Sequence, residues 1–329
     1  MNLVNEYNAI SNEIGYGAAS DTNGHGTKVA LIIAGCKGGV FGEGVASGVN
    51  IMPIKVCYDN GLCSWTAIFY GILYAADNGA DVINMSSSGS SDEKGESLFN
   101  SVQTLESIGA NLLVIRHYDS GAPYFVSRNI DIPVINAGDG SHAHPTQNLI
   151  DLYTVYKNLG SIEGINLTIL GDNVHSRVAR STILGFSILG ANITICAPTT
   201  MNAQFLSDNS SKKSEIFWPE VNYSDDLEAS LKSADLVMAL RTQFERKSEF
   251  VIPNINEYTR LFKLSEDSFR NVSKDIKILH PGPMNLGIEI DGYVSNSDKS
   301  LINEQVQNSV SMRMAVLLLL IGDYSLDSI

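Results

Sequence analysis

Short β-rich runs alternate with helical stretches almost throughout the chain. The run "NIMPIKVC" (50–57) reads as a strand, and "SWTAIFYGILYAADNGA" (64–80) as a helix with Ser64 as its N-cap candidate and Gly79 near its stop. "DVINM" (81–85) reads as the next strand, so the three form a βαβ unit and imply a parallel sheet. "GESLFNSVQTLESIGA" (95–110) places Leu98, Val102 and Leu105 on one helical face. Further strands are expected at "NLLVIRH" (111–117), "IPVINAG" (132–138), "NLTILGD" (166–172), "NITICAP" (192–198), "DLVMAL" (235–240) and "DIKILH" (275–280), most of them separated by helical segments. The architecture is therefore α/β, with ligands expected at the C-terminal ends of strands. "LSDNSSKKSE" (206–215) is polar and breaker-rich and reads as a surface loop. The last helix, "SLINEQVQNSVSMRMAVLLLL" (300–320), is expected to turn Ile302, Val306, Val310, Met314 and Leu317 to one face.

Composition narrows the class. A length of 329 residues accommodates about two domains. Apolar residues at 44% and charged residues at 18% describe a soluble globular chain. A net charge of −14 argues against nucleic acid or an anionic membrane as partner, yet leaves room for a local basic pocket. Cys36, Cys57, Cys63 and Cys196 lack metal-type spacing and read as buried or free thiols of a reducing compartment. No basic-then-apolar leader opens the sequence, and "MAVLLLLIG" (314–322) is too short to span a bilayer, so the cytoplasm is the expected location.

Two resemblances meet along the chain. "NGHGTKVALIIAG" (23–35), "GVASGVNIMPIKV" (44–56) and "GILYAADNGADVINMS" (71–86) resemble the subtilisin-like serine proteases, in family order. His25 matches the family's base. Asp21 lies too close to it to be the acid, the Gly-Thr-Ser-Met-Ala nucleophile run is absent, and Lys28 replaces the motif's second His. A triad needs base, orienter and nucleophile within hydrogen-bond reach. The resemblance thus implies an inactive protease fragment, with His25 as a capping or surface residue.

From about residue 86 onward, "KGESL" (94–98), "VIRH" (114–117), "NAGDGSHAHPTQ" (136–147), "LGDNVHSRVARS" (170–181), "MALRTQFER" (238–246), "HPGPMN" (280–285) and "EQVQNSVSMRMAVL" (304–317) resemble the aspartate carbamoyltransferases. This resemblance implies two parallel-sheet domains of the carbamoyltransferase type, the first partly replaced by a subtilisin-like βαβ segment. Residues 1–85 would be that fragment, 86–149 with 300–329 the remnant of the carbamoyl-phosphate-binding domain, and 150–299 the aspartate-binding domain. The join near "GADVINMSSSGSSDEKGE" (79–96) would be a fusion, a recombination or an assembly product across a stretch that both families share.

The reaction so implied joins carbamoyl phosphate and L-aspartate to N-carbamoyl-L-aspartate and phosphate, an early step of pyrimidine synthesis, without metal or other cofactor. It needs cationic clamps for two anions and donors at a developing oxyanion. By the resemblance, Arg116 binds carbamoyl phosphate through its guanidinium fork, with a surface ion pair as the other reading. His144 donates to the carbamoyl oxygen, and Gln147 contacts the carbamoyl group or is an ordinary helix-start polar residue. Arg177, at a helix start that favours anions, and Arg241 with Gln243 clamp the aspartate carboxylates. Gly282 and Pro283 supply backbone contacts or stiffen their loop. Ser90 and Lys94 match residues lent by a neighbouring subunit of a homotrimer with shared sites; Ser90 also fits a capping box with Glu93, and Lys94 a solvated lysine. His142 reads as structural, and Glu245 and Arg246 as supporting ion pairs. Leu286 stands where the family usually has Arg.

One element of the family is missing. Its Ser-Thr-Arg-Thr-Arg phosphate loop has no counterpart, and "YDNGLCSWT" (58–66) stands in that place without an arginine and with Asp59. Loss of one preorganised oxyanion donor costs about a hundredfold to a thousandfold, so impaired carbamoyl transfer is expected. A non-catalytic oligomer that binds aspartate or phosphate is the alternative. The partner helix of the C-terminal helix is also absent or replaced, so a partly uncovered apolar face and low stability are expected.

Overall fold

The computed structural model describes residues 2–34, 48–60, 63, 65–84, 98–202, 219–242, 255–272 and 275–321. It divides into two compact units, Met1–Ser101 and Val102–Ile329.

In the first unit the strands are two residues long. β1 (Asn2–Leu3) pairs in parallel with β4 (Asn50–Ile51). β2 (Tyr7–Asn8) sits between antiparallel β3 (Glu13–Ile14) and parallel β5 (Ile54–Lys55). The expected single strand over 50–57 is split because Pro53 has no N–H for a ladder; its carbonyl instead accepts from Tyr7 N. α1 (His25–Ala34) opens on the exposed His25, and Asp21 caps it, accepting from Gly24 N at 2.8 Å and from Thr27 N and Oγ1 at 2.7 Å. α2 (Trp65–Asp77) covers most of the expected helix and ends at Gly79, which takes φ +76°. Ser64 lies outside the described residues.

Two expectations fail in this unit. Asp81–Asn84 is not a strand: no ladder partner flanks it among the described residues, and Val82 is 84% exposed, so its β-propensity has nothing to pack on. Among the described residues the expected βαβ unit therefore shows no second strand. Cys57 and Cys63 are also not free thiols but form a disulfide. A turn at Asp59 and Asn60 brings their backbones into an antiparallel bridge, a proximity that spacing alone does not reveal. Cys196 is free and buried, and burial pushes its thiol up to about 11. Cys36 falls outside the described residues.

The second unit holds a five-stranded, all-parallel sheet of β8 (Asn166–Leu170), β9 (Asn192–Cys196), β10 (Asn222–Ser224), β11 (Leu236–Ala239) and β12 (Lys277–Leu279), in spatial order β10-β9-β8-β11-β12. The expected strands form, with β10 added; its polar "NYS" carries no apolar run that periodicity could flag. All four residues of β11 are buried because the sheet is covered on both faces. Leu236, Met238 and Leu240 pack with Phe186 and Ile183 of α6 (Arg177–Ile188), whereas Val237 and Ala239 pack with Tyr258 and Phe262 of α8 (Ile255–Phe262). α7 (Leu227–Ser233) and the short α9 (Gly292–Ser295) complete the layer. Residues 206–215 lie outside the described residues.

The rest of this unit carries the parallel pair β6 (Leu113–His117) and β7 (Val134–Asp139), α4 (Ala122–Ser127) and α5 (Pro145–Leu159). α3 (Leu98–Ser107) buries Val102, and its Glu106 accepts from Asp131 N at 2.7 Å. α5 and α6 approach closely at Gly185, where any Cβ would collide with the side chain of Asn148.

α10 (Ile302–Ile321) packs along α5, but not on the expected face. Its buried residues are Ile302, Gln305 and Asn308, whereas Val306 and Met314 are 66% and 56% exposed. Polar pairing decides the rotation. Gln305 Nε2 donates to Asp151 at 2.7 Å, Asn308 Nδ2 donates to Thr154 Oγ1 at 3.0 Å, and Asn158 Nδ2 donates to Glu304 at 2.8 Å. Buried donors left unmade would each cost about 1–3 kcal/mol, as much as the burial of one apolar side chain. Val306, Met314 and Leu317 of the expected face stay exposed, with Leu318, Leu320 and Ile321 beside them, so the expected partly uncovered apolar face exists; of its residues only Ile302 is buried.

We expect Met314→Lys with Leu318→Lys to raise the soluble yield and to leave thermal unfolding within about 0.5 kcal/mol of the parent, as for ordinary surface positions. A loss of about 2 kcal/mol or more in calorimetry would show that the face is covered.

Candidate functional site

The sheet of the second unit reverses its strand order at β8. The chain passes from β8 outward to β9 and β10, then returns to the other side with β11 and β12. A crevice opens at the carboxyl ends of the strands at such a switch point. Arg177 follows β8 as the first residue of α6, Arg241 follows β11, and His280–Pro283 follows β12. Arg177 is nearly buried, and Ser176 caps α6 by accepting from Ala179 N at 3.2 Å. Asn285 Nδ2 donates to the Thr242 carbonyl at 2.9 Å, which ties the loop after β12 to the loop after β11. Gly282 has φ +65° and donates its N–H to His280 Nδ1 at 2.9 Å, and Pro283 follows through a cis peptide bond.

The pair β6 and β7 brings a second edge to this one. Arg116 is the penultimate residue of β6 and is exposed. After β7 the chain turns through Gly138–Ala143 into α5, for which His144 is the N-cap residue and Pro145 the first. The turn is built on Asp139, whose Oδ1 accepts from Asn136 and Ala143 N and whose Oδ2 accepts from Gly121 N and faces His142 Nδ1 at 2.9 Å. Burial opposes its ionisation, but these bonds prevail and hold the carboxyl below the usual carboxylate range. His142 is thus structural, as expected. The two edges touch where His144 N donates to Ser181 Oγ of α6 at 2.8 Å and Arg177 Nη1 reaches the Gly140 carbonyl at 3.4 Å. Gly138 must be glycine here: its φ is +114°, and a Cβ would lie 2.9 Å from Arg177 Nε.

His144 is held neutral. Burial lowers its imidazole to about 4, and the fields of Arg177, Arg116 and Arg313 add to the shift; Asp139 opposes it weakly. Thr146 Oγ1 lies 3.3 Å from Nδ1. With that hydroxyl donating, the ring carries its proton on Nε2 and offers a donor to a ligand. Gln147, one turn along, has its Nε2 engaged by Asp151 at 2.8 Å. The set combines cations, a neutral imidazole donor and a carboxamide oxygen, and so suits an anionic ligand with a polarised carbonyl.

Comparison with known proteins identifies the family. The carbamoyl-phosphate-binding domain of the aspartate/ornithine carbamoyltransferases matches residues 74–157, and the Asp/Orn-binding domain of the same family matches 163–320. The chain belongs to the aspartate/ornithine carbamoyltransferase family. It is 46% identical over 244 residues to the aspartate carbamoyltransferase catalytic subunit of Roseiflexus sp. (strain RS-1), covering 74% of this chain and 75% of that one. It is 45% identical over 250 residues to that of Dehalococcoides mccartyi (strain CBDB1), covering 76% and 74%. Among solved structures, the catalytic subunit of M. Jannaschii aspartate transcarbamoylase superposes with a TM-score of 0.58 at 29% identity, over 70% of this chain and 72% of that one. The ornithine carbamoyltransferase of Pyrococcus furiosus shares the fold, with a TM-score of 0.59 at 21% identity over 71% and 73%. The carbamoyltransferase match starts at residue 74, ahead of the join expected near residue 86.

Of the expected site residues, Arg116 lies near the end of β6, His144 and Gln147 at the start of α5, Arg177 at the start of α6, Arg241 after β11, and Gly282 and Pro283 after β12. Ser90, Lys94 and Gln243, with Glu245 and Arg246, fall outside the described residues. Leu286 is 59% exposed. Sequence reading missed Arg313 on α10. Its one hydrogen-bond partner among the described residues is the Ser309 carbonyl, and burial lowers its guanidinium with no acid opposing. Glu304 and Arg313 are the charged residues of that 20-residue helix, and an isolated arginine among its apolar positions was the available signal. Among the described residues no cluster of His, Cys, Asp and Glu could hold a metal, and no helix is long and apolar enough to cross a membrane.

The folded-state pKa of His144 lies below its ordinary value of 6.5. Neutral His144 therefore supports the fold fully above pH 6.5, and this support is lost as pH falls toward 4. NMR titration should find the ring neutral down to about pH 4. Arg313→Ala should move the midpoint upward; a midpoint near 6.5 in the parent, or none moved in the variant, would contradict the cationic field.

Proposed function

We propose that this chain transfers the carbamoyl group of carbamoyl phosphate to L-aspartate, giving N-carbamoyl-L-aspartate and phosphate, a step of pyrimidine biosynthesis. The observation that carries the reading is the neutral His144 set among Arg116, Arg177 and Arg313. The curated relatives supply the substrate class by name. Nε2–H of His144 donates to the carbamoyl oxygen as charge builds there. Gln147 Oε1 accepts from the carbamoyl amine. Arg116 takes the phosphate, and Arg177 and Arg241, with Gln243, take the two aspartate carboxylates. Gly282 and Pro283 border the carbamoyl group. The aspartate amine forms the new C–N bond, the C–O bond breaks with its electron pair going to phosphate, and one proton passes from the nitrogen to the departing phosphate. No cofactor takes part.

The same reading assigns residues 86–149 with 300–329 to the carbamoyl-phosphate side and 150–299 to the aspartate side. It makes the protein a cytoplasmic homotrimer in which Ser90 and Lys94 serve the site of a neighbouring subunit. Residues 1–85 form a subtilisin-like segment fused across the shared stretch, proteolytically inactive because it lacks a nucleophile motif. Turnover is impaired, because residues 1–101 contain no arginine at all and Asp59 is engaged by Lys55 at 2.7 Å. That absence also favours the second reading, an oligomer that binds phosphate or aspartate without turnover.

Formation of carbamoyl-aspartate by the purified chain, beside Arg116→Ala, is the test. We expect activity at least a hundredfold below that of a complete family member, from the missing oxyanion donors, and abolished by the substitution. Full activity would refute the impairment. Binding of phosphate or aspartate without product would establish the second reading.

A further inference from the structure

A buried hydrogen-bond path runs from Gln147 to the loop after β12. Asp151 lies one turn beyond Gln147 on the same face of α5 and is fully buried. Its Oδ1 accepts from Gln147 Nε2 at 2.8 Å and from Gln305 Nε2 of α10 at 2.7 Å. Gln305 Oε1 in turn accepts from His280 N at 2.9 Å. The His280 imidazole accepts from Gly282 N through Nδ1 and meets the buried Glu289 through Nε2 at 3.2 Å, and Glu289 also accepts from Asn285 N at 2.6 Å.

We propose that Asp151 is a positioning residue: it fixes the carboxamide of Gln147 for the carbamoyl group, and through Gln305 it keeps that carboxamide in register with the His280–Pro283 loop. The proposal rests on the carbamoyl-transfer reading for the ligand, and on geometry alone for the contact. A carboxamide has a donor end and an acceptor end, and the site needs the acceptor, because the carbamoyl amine brings hydrogens. Asp151 accepts at the Nε2 end, so Oε1 is the end left for the ligand. Without Asp151 the group can rotate by half a turn and oppose donor to donor.

The choice of a carboxyl group here needs an explanation beyond packing. An uncompensated buried carboxyl is costly. Burial raises Asp151 to about 7 even though both amides favour its ionised form. Its Oδ2 is buried and has no hydrogen-bond partner among the described residues. A group that served only to fill space would be apolar. Oδ1 instead receives two amide donors from two helices, each of which leads to one edge of the site.

The test reads contact and ligand separately. In ¹⁵N-labelled protein, the side-chain amide of Gln147, identified by its disappearance in Gln147→Ala, should be protected from exchange. Protection should persist in Asp151→Asn, whose Oδ1 still accepts, and vanish in the isosteric Asp151→Leu. By calorimetry, Asp151→Leu should weaken carbamoyl phosphate about tenfold, the value of one unsatisfied donor, and leave inorganic phosphate unchanged. The double variant Asp151→Leu with Gln147→Ala should bind no more weakly than either single one, and Asp151→Asn should restore affinity. An unprotected Gln147 amide in the parent, equal losses for both probes, or additive losses overturn the proposal. A parent that binds neither probe refutes the ligand reading, while amide exchange still decides the contact. Should Asp151→Leu not fold, protection in the parent and in Asp151→Asn decides alone.

Discussion

The pairing of Gln305 with Asp151 is the interaction on which the second unit is arranged. Gln305 brings α10 against α5, sets the rotation of α10, and holds the backbone of His280. Each of these would be served separately in an ordinary apolar helix contact. Here one carboxamide satisfies a donor and an acceptor that are both buried, so the three elements cannot shift independently without stranding a polar group. The strand-end loops after β7 and after β12 inherit that rigidity, and they carry part of the candidate site.

Electrostatics adds a second constraint. The chain carries a net charge of −14, yet the surroundings of His144 are cationic. Arg177 is buried, whereas Arg313 is exposed on α10. Guanidinium groups beside an imidazole hold the ring neutral and attract an anion whose binding relieves their repulsion. A protonated His144 would donate more strongly but would repel those groups. On the proposed reading, the set keeps its cations for the phosphate and carboxylate ends of the substrates and a neutral donor for the carbonyl.

How far the sequence reveals this depends on the range of the interaction. Strands β8, β9, β11 and β12 were legible because each is a short apolar run buried on both sides, and the starts of α5 and α6 because the motifs around Gln147 and Arg177 mark them. Arg116, His144, Arg177 and Arg241 were legible because their motifs place them at strand ends. The face of α10 was not legible. Counting apolar residues selects Val306 and Met314, whereas burial follows Gln305 and Asn308, whose partners Asp151 and Thr154 lie about 150 residues away. Arg313 and Asp151 were missed for that same reason: their meaning depends on which helix lies opposite. The 81–84 segment failed in the other direction, since a β-rich run without a neighbouring strand remains irregular.

The distribution of arginine makes the two units unequal in a way that bears on chemistry. Every arginine of the chain follows residue 115, so all guanidinium groups available to an anion come from the second unit. A dianionic phosphate is stabilised best when donors surround it, because the field of each adds while the repulsion among them is spread over a larger shell. Cations supplied by one unit can hold a phosphate without enclosing it. Such a site retains much of its affinity for the ground state and loses the stabilisation of charge that develops as the leaving group departs. On the proposed carbamoyl-transfer reading, that imbalance would weigh on turnover more than on binding, in the same direction as the missing phosphate loop.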